Sequence, residues 1–351
     1  MTHPLRTGGD RGYPRIATEE AFAIREQIDV YLRMVRDGTA DLGLQSLWGF
    51  YGRSPAERAT QIIDRLLDLG EQRLRHMDET GIDRAVLALT SPGAQPLLDV
   101  EEARGLARRA NDYLAGHVAA HPDRYIGMTA VAPQDPHWSA REIARGARDL
   151  GFKGVQINSH TQGQYLDDPK FDPIFRALAD TGQPLYIHPA TPPDSMIGPM
   201  LEAGLDGAIF GFGVETGMHL LRLITIGIFD RYPDLQIMVG HAGEALPYWV
   251  YRLDYMHQAG VRSNRYARMK PLRKTILEYL RSNVLITTSG MAWPPAIRFA
   301  QQVVGEERVM YAMDYPYQFV PDEVRTHDLL DIPPAAKRML MQTNAERWFK
   351  L

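Results

Sequence analysis

Eight short apolar runs recur along the chain: Arg15–Thr18, Arg84–Leu89, Tyr125–Val131, Gly154–Asn158, Pro184–His188, Gln236–His241, Val284–Thr288 and Val309–Asp314. Most are rich in β-branched residues, leucine or methionine, and they lack strict alternation. A strand with one wet face alternates; a strand buried on both faces, as in a parallel sheet, does not. Between the runs the period becomes helical. Ile63, Leu67, Gly70, Leu74 and Met77 step by four and three, and Ala103, Leu106, Ala110, Tyr113 and Leu114 do so within a slip of register. The segments Val214–Asp230, Gly243–Met256, Pro295–Val304 and Pro334–Phe349 read as further helices. Strand and helix alternating eight times predict an α/β fold, a (β/α)8 TIM-type barrel. A doubly wound open sheet is the runner-up, and it usually has fewer strands.

Two stretches break this spacing. Residues 22–56 form an insertion after strand one and carry Trp48, Phe50, Tyr51 and Arg53. Residues 189–214 form a long loop after strand five, rich in proline and glycine, with Met196, Met200, Ile209, Phe210 and Phe212. In a barrel both emerge at the C-terminal face, where active sites sit. They read equally well as loops packed on their own barrel and as a lid or subunit interface. No repeat of 20–50 residues and no low-complexity linker is visible. A single barrel domain over residues 13–351 is therefore expected, behind a polar tail of residues 1–12.

Composition narrows the function. Among 351 residues, 39 Lys and Arg stand against 43 Asp and Glu, for a net charge of −4. That balance is wrong for a nucleic-acid binder, which shows a basic excess. The chain has no cysteine, which excludes disulfides, thiolate-bound zinc, iron–sulfur clusters and thiol catalysis. It also fits a reducing cytoplasm. The segment Met1–Tyr13 has no apolar targeting core. The apolar stretch Leu220–Phe229 is interrupted by Arg222 and Thr225, and a membrane helix needs about twenty residues. A soluble cytoplasmic protein without a membrane partner is expected. There is no GxxxxGK[ST] loop, no HExxH and no GxSxG. Gly211–Gly217 is glycine-rich, but its spacing is wrong for a dinucleotide fingerprint and no strand precedes it. No organic cofactor is expected.

Ionisable residues gather at the strand ends. Strand one ends in Glu19-Glu20, strand five in His188, strand six in His241 and strand eight in Asp314. The others end in Thr90, Pro133, Asn158 and Thr288. A lone histidine at a strand end is more often structural than a ligand. Two carboxylates and two imidazoles converging at one barrel mouth are a donor set that suits a metal ion. Alternation along the strand puts Glu19 and Ala21 on one side and Glu20 on the other, so Glu20 reads as structural. The other histidines do not join this set; His160, near the end of strand four, is a weak pocket candidate.

The stretches Glu19-Glu-Ala-Phe-Ala, His188-Pro-Ala, Val239-Gly-His-Ala-Gly-Glu-Ala-Leu-Pro247 and Met313-Asp-Tyr-Pro316 resemble the amidohydrolase superfamily. Within it they resemble the metal-dependent, nonoxidative decarboxylases of hydroxybenzoates, over residues 13–351. Ser46–Tyr51 and Gly211–Phe229 are similar to the branch acting on a carboxylated vanillate. The family's strand-one motif puts ligands at its first and third positions. Here these are Glu19 and Ala21, and alanine cannot coordinate. The resemblance implies one divalent metal ion on Glu19, His188 and Asp314. That shell is oxygen-rich, which favours Mn2+, with Zn2+ as the alternative. His241 matches the family's strand-six histidine, as a ligand or just outside the metal shell, and Glu244 matches the residue that orients it.

The implied reaction protonates the ring carbon of an ortho-hydroxylated aromatic acid before the carboxylate leaves as CO2. Asp314 is the expected proton donor, with His241 and Glu244 as runner-up. A small aromatic dicarboxylate keeps one carboxylate, which calls for a cation, either Arg58 or Arg252. Tyr317, Thr90 and Tyr51 are candidate ring and hydroxyl contacts. A metal-dependent hydrolase or lactonase and a non-enzymatic binding barrel are the other readings. The missing third position, and Asn158 where a lysine would stand at the end of strand four, speak against a binuclear hydrolase. The apolar stretch Leu205–Gly213, running into an apolar helix, is expected to be covered by a partner in a homodimer, with a tetramer as the larger alternative.

Overall fold

The computed structural model describes residues 12–351, so the expected polar tail lies almost wholly outside the described residues. Eight parallel strands stand side by side in sequence order. They are β1 (Ile16–Phe22), β2 (Arg84–Leu89), β3 (Tyr125–Ala130), β4 (Gly154–Asn158), β5 (Leu185–His188), β6 (Ile237–Val239), β7 (Val284–Thr287) and β8 (Val309–Met310). The ring closes where Thr18 N–H donates to Tyr311 O at 3.0 Å and Ala21 N–H to Tyr315 O at 2.7 Å. The result is the (β/α)8 barrel read from the apolar runs.

Nearly every strand residue is buried, as a sheet covered on both faces requires. One apolar cluster fills the barrel interior, with Ile16, Val86, Met128, Met238, Leu285 and Met310. Ala345 and Phe349 of the final helix, Asn344–Phe349, join it. Phe349 lies against the first residue of β4, so this helix plugs the N-terminal end. The C-terminal end stays open to chemistry.

β1 runs on to Phe22, further than its apolar run, and contains Glu19 and Glu20. Its pairing with β2 slips by one residue between Ala17 and Glu20. Such a bulge opposes two residues to one and re-aims the side chains after it. Ile16 points into the barrel and Ala17 packs on the outer core. Without the bulge Glu19 would point outward.

Strands β6 and β8 are shorter than predicted. The chain leaves the ladder for left-handed backbone, at φ 49° for His241 and 73° for Asp314. The expected helix Gly243–Met256 begins later, as Leu246–Arg262. Its first residues are used in a left-handed turn. The expected helix through Ile63 and Met77 is two helices, Glu57–Leu67 and Glu71–Thr80. Asp68 Oδ1 accepts from Gly70 N–H at 2.9 Å and Arg73 N–H at 3.2 Å, which competes with the helical ladder. The expected helix Val214–Asp230 is likewise split, into Gly211–Thr225 and Ile228–Arg231, by the left-handed Gly227. Pro334–Phe349 is helical throughout, with a wider π turn at Met339–Thr343.

Both long excursions are ordered by helices. Residues 22–56 hold Arg25–Asp37 and Leu42–Arg53, and residues 189–214 hold Asp194–Ala203. Trp48 is fully buried, with its indole N–H on Ser91 O at 3.2 Å and its ring 4.9 Å from that of Tyr31. The excursions are bonded to each other. Leu42 N–H donates to Asp194 Oδ1 at 3.0 Å, and Ser46 Oγ–H to Asp206 Oδ2 at 2.6 Å. Among the described residues no helix is long and apolar enough to cross a membrane.

Candidate active site

Glu19 is the centre of the site. It is buried, and Thr287 Oγ–H donates to its Oε2 at 2.5 Å. Its Oε1 is buried without a hydrogen-bond partner. Two imidazole nitrogens face that same oxygen, His188 Nε2 at 3.8 Å and His241 Nε2 at 3.9 Å. Gly240 makes the approach possible, since a Cβ there would stand 3.0 Å from Glu19 Oε2 and 3.0 Å from the Tyr186 hydroxyl.

The two histidines differ in charge. His188 Nδ1 lies 2.8 Å from Pro189 O. A carbonyl only accepts, so Nδ1 carries the hydrogen and Nε2 keeps its lone pair. Burial, helped by the charge of His241 and opposed by Glu19, pulls His188 down to about 4. It is neutral at physiological pH. His241 Nδ1 lies 2.8 Å from Glu244 Oε1. Burial works against charge there too, but Glu244, Glu19 and Asp314 together push His241 up to about 10. The pairing with Glu244 favours the charged ring of His241.

The backbone that presents this pair is unusual. Residues 241–245 have φ values of 49°, 58°, 88°, 51° and 60°, and only Gly243 is a glycine. Left-handed backbone costs about 1–2 kcal/mol per non-glycine residue. Strain of this kind persists only where the surroundings over-determine it. The His241–Glu244 hydrogen bond closes the turn from within. Gly213 and Gly217 of the helix Gly211–Thr225 pack against it from outside, where a Cβ would come 3.0 Å from Glu244 Oε2 and 3.1 Å from Glu244 O. The glycine-rich segment rejected as a dinucleotide loop thus lets a helix approach the turn.

Asp314, in the loop after β8, is partly exposed toward the mouth. Gly290 lies beside it, where a Cβ would sit 3.6 Å from Asp314 Oδ2 and 3.7 Å from His241 Cδ2. Burial and the carboxylates of Glu19 and Glu244 push Asp314 up to about 8, against the pull of His241. Among the described residues, no three His, Asp or Glu side chains close into a single metal-sized cage. The expected trio Glu19, His188 and Asp314 appears as two imidazoles sharing Glu19 Oε1, with Asp314 beside His241.

The expected substrate contacts separate into two groups. Tyr317 and Thr90 are bonded, hydroxyl to hydroxyl, at 2.6 Å. The Tyr51 ring lies 6.1 Å from that of Tyr317. Arg58 donates to Tyr317 O at 2.7 Å and its charge reaches the Tyr51 hydroxyl. These four form one wall. Arg252 does not join them; it stands exposed on the helix Leu246–Arg262, with no hydrogen bond or ion pair to a member of the site. His160 is committed to backbone on both nitrogens, Nε2 to Thr191 O at 2.9 Å and Nδ1 from Gly163 N–H at 3.1 Å. Sequence reasoning missed Tyr186 and Thr287. Tyr186 lies two residues before His188 and so shares its face of β5, a signal the period of two carries. Thr287 was passed over for its neighbour Thr288.

Known proteins resemble this chain in sequence and fold. The family described as Amidohydrolase matches residues 61–351. The gamma-resorcylate decarboxylase of Polaromonas sp. (strain JS666 / ATCC BAA-500) is 33% identical over 315 residues, covering 88% of this chain and 95% of that one. A crystal structure of 5-carboxyvanillate decarboxylase from Novosphingobium aromaticivorans DSM 12444 holds manganese and 4-hydroxy-3-methoxy-5-nitrobenzoic acid. It is 75% identical with a TM-score of 0.99, covering 100% of each chain. Its D314N mutant, again with manganese and the nitro compound, matches at 75% identity and a TM-score of 0.98, covering 99% of this chain and 100% of that one. The chain belongs to the amidohydrolase family.

Proposed function

We propose that this protein is a divalent-metal-dependent carboxy-lyase that converts 5-carboxyvanillate to vanillate and CO2 without a redox or organic cofactor. The observation that carries this reading is the buried, partnerless Glu19 Oε1 facing two imidazoles at the barrel mouth. The Novosphingobium enzyme supports the substrate. In the compound held there, a nitro group beside the 4-hydroxyl stands in for the carboxylate that leaves.

The donors fit a cation. Two ligands each roughly 2.1 Å from one metal can stand up to about 4.2 Å apart. The 3.8 Å from His188 Nε2 to Glu19 Oε1 falls inside that span. Glu19, His188 through its Nε2 lone pair, and Asp314 would hold the ion. Two carboxylates against one imidazole favour Mn2+ over Zn2+. Bound there, the ion supplies Lewis acidity and a template for an ortho-hydroxy carboxylate.

Direct loss of CO2 would leave an aryl carbanion, so the ring carbon bearing the carboxylate must be protonated first. Asp314 is the donor in this reading, since burial and neighbouring carboxylates push its carboxyl up to about 8 in the metal-free site. The C–C bond then breaks, CO2 departs, and the bonding pair restores the aromatic ring. His241, held charged by Glu244, places a positive charge beside the reacting carboxylate. Arg58 pairs with the carboxylate that stays, Tyr317 and Thr90 offer hydroxyls, and Tyr51 walls the ring.

The same surface suggests assembly. Ile209, Phe210, Tyr248, Tyr251, Tyr255 and Met256 are large, apolar and exposed. Tyr248, Tyr251 and Tyr255, spaced by three and four, share one face of the helix Leu246–Arg262. A face of that kind is characteristic of an interface, here of a homodimer.

Three outcomes are expected. Asp314→Asn lowers kcat by roughly 10²–10⁴-fold, the usual worth of a positioned proton donor. Its affinity for the nitro compound, measured by calorimetry, stays close to wild type; a kcat within tenfold of wild type overturns the donor role. Arg58→Ala raises KM for the dicarboxylate with kcat little changed. The loss is about 1.5 kcal/mol, the lower end for a charged hydrogen bond because Arg58 is exposed. An aromatic acid without the distal carboxylate should lose nothing further on the variant; an equal loss on both compounds removes Arg58 from that role. Sedimentation at micromolar concentration should give twice the chain mass, and a fully active monomer contradicts the dimer.

A further inference from the structure

Glu20 sits beside Glu19 on β1 and is used differently. Alternation along β1 sends the two neighbouring acids to opposite sides of the barrel wall, and the bulge before them decides that Glu19 is the one turned inward. Glu20 is buried, and its two oxygens accept from two amides, Met313 N–H at 2.9 Å and Tyr315 N–H at 3.0 Å. These are the amides on either side of Asp314, whose φ is 73°. Non-glycine residues hold such backbone only when the surroundings enforce it.

Further contacts converge on the same loop. Ala21 N–H donates to Tyr315 O at 2.7 Å, and both Thr18 N–H and Thr18 Oγ–H donate to Tyr311 O, at 3.0 and 2.8 Å. Arg73, buried behind the carboxylate, stacks its guanidinium 4.0 Å from the Tyr315 ring centre and donates to Ala21 O at 2.5 Å. Its Nε and Nη1 have no protein partner and border a small cavity shared with Glu20, His76 and Phe319. The carboxylate of Glu20 is thus held between a loop it grips and a cation behind it.

We propose that Glu20 is a positioning residue for the decarboxylation, gripping both amides that flank Asp314 and fixing the left-handed backbone from which Asp314 meets the substrate. This rests on the functional reading above. The chemistry asks for a carboxylate. Two N–H donors need two acceptor oxygens, and a glutamine amide supplies one acceptor and one NH2, which would face a donor. An aspartate keeps both oxygens but draws them back by a methylene. Glu20 therefore acts through Asp314 and never touches the ring.

The test is a double-mutant cycle on the manganese-loaded enzyme, with Glu20→Gln, Asp314→Asn and the pair. Glu20→Gln should lower kcat by roughly 10–100-fold, the cost of leaving one buried amide without its acceptor, while KM and bound manganese stay near wild type. In the Asp314→Asn background it should cause no further loss. Independently of turnover, hydrogen exchange at the Met313 and Tyr315 amides should quicken about tenfold or more in Glu20→Gln, while the amides of β4 keep their protection. An unchanged kcat, a loss that adds fully to that of Asp314→Asn, or unchanged exchange overturns the proposal. If Glu20→Gln does not fold, Glu20→Asp carries the same cycle. If neither folds with normal metal content, Glu20 is only a structural residue and the proposal falls. A wild-type enzyme that releases no CO2 from 5-carboxyvanillate defeats the functional reading instead, and the exchange result still reports on Glu20.

Discussion

A carboxylate with one oxygen left unpartnered inside a protein is expensive, and the organisation of this barrel mouth follows from that cost. Glu19 is buried, and Thr287 satisfies only its Oε2. The other oxygen is faced by two imidazoles, each too far for a hydrogen bond; His188, with its free Nε2 lone pair, stands within reach of a cation shared with Glu19. Low dielectric strengthens every charge there. Burial pulls His188 down, the carboxylates of Glu244, Glu19 and Asp314 outweigh burial to push His241 up, and burial with neighbouring carboxylates pushes Asp314 up.

The backbone accepts strain to set these groups. A bulge turns Glu19 inward, a run of five left-handed residues presents His241 with Glu244, and left-handed backbone sets Asp314 beside His241. Each distortion is braced by something specific. Glycines 213 and 217 admit a helix against the first turn, and Glu20 clasps the amides around Asp314. The rest of the barrel is ordinary by comparison. Its strands are buried on both faces and its lower end is plugged by Phe349, so the strained loops stand on a rigid frame.

The fold was legible because it is written in periodicity. Eight apolar runs and the helical steps between them are long-range patterns that survive local irregularity. Element ends were not legible where side-chain bonds overrode the period. Asp68 breaks one helix by taking two amides, and the left-handed turn consumes the start of another. The excursion around Trp48 lacked a readable period and proved helical. At the site, strand-end chemistry and motif resemblance singled out Glu19, His188, His241, Glu244 and Asp314, which the structure brings together. Arg252, named beside Arg58 as a partner for the carboxylate that stays, lies exposed on its helix. Glu20 was read as structural from alternation; no sequence pattern tells that its two oxygens would meet the amides around Asp314.

The account turns on one divalent ion at Glu19, His188 and Asp314. The most direct measurement strips the enzyme with a chelator and restores single metals anaerobically, following metal content and CO2 released from 5-carboxyvanillate together. One Mn2+ per chain should restore turnover in full, with no organic cofactor added, and the Glu19→Gln variant should retain neither metal nor activity. Full turnover by the stripped enzyme, or recovery with Zn2+ and none with Mn2+, would contradict the account.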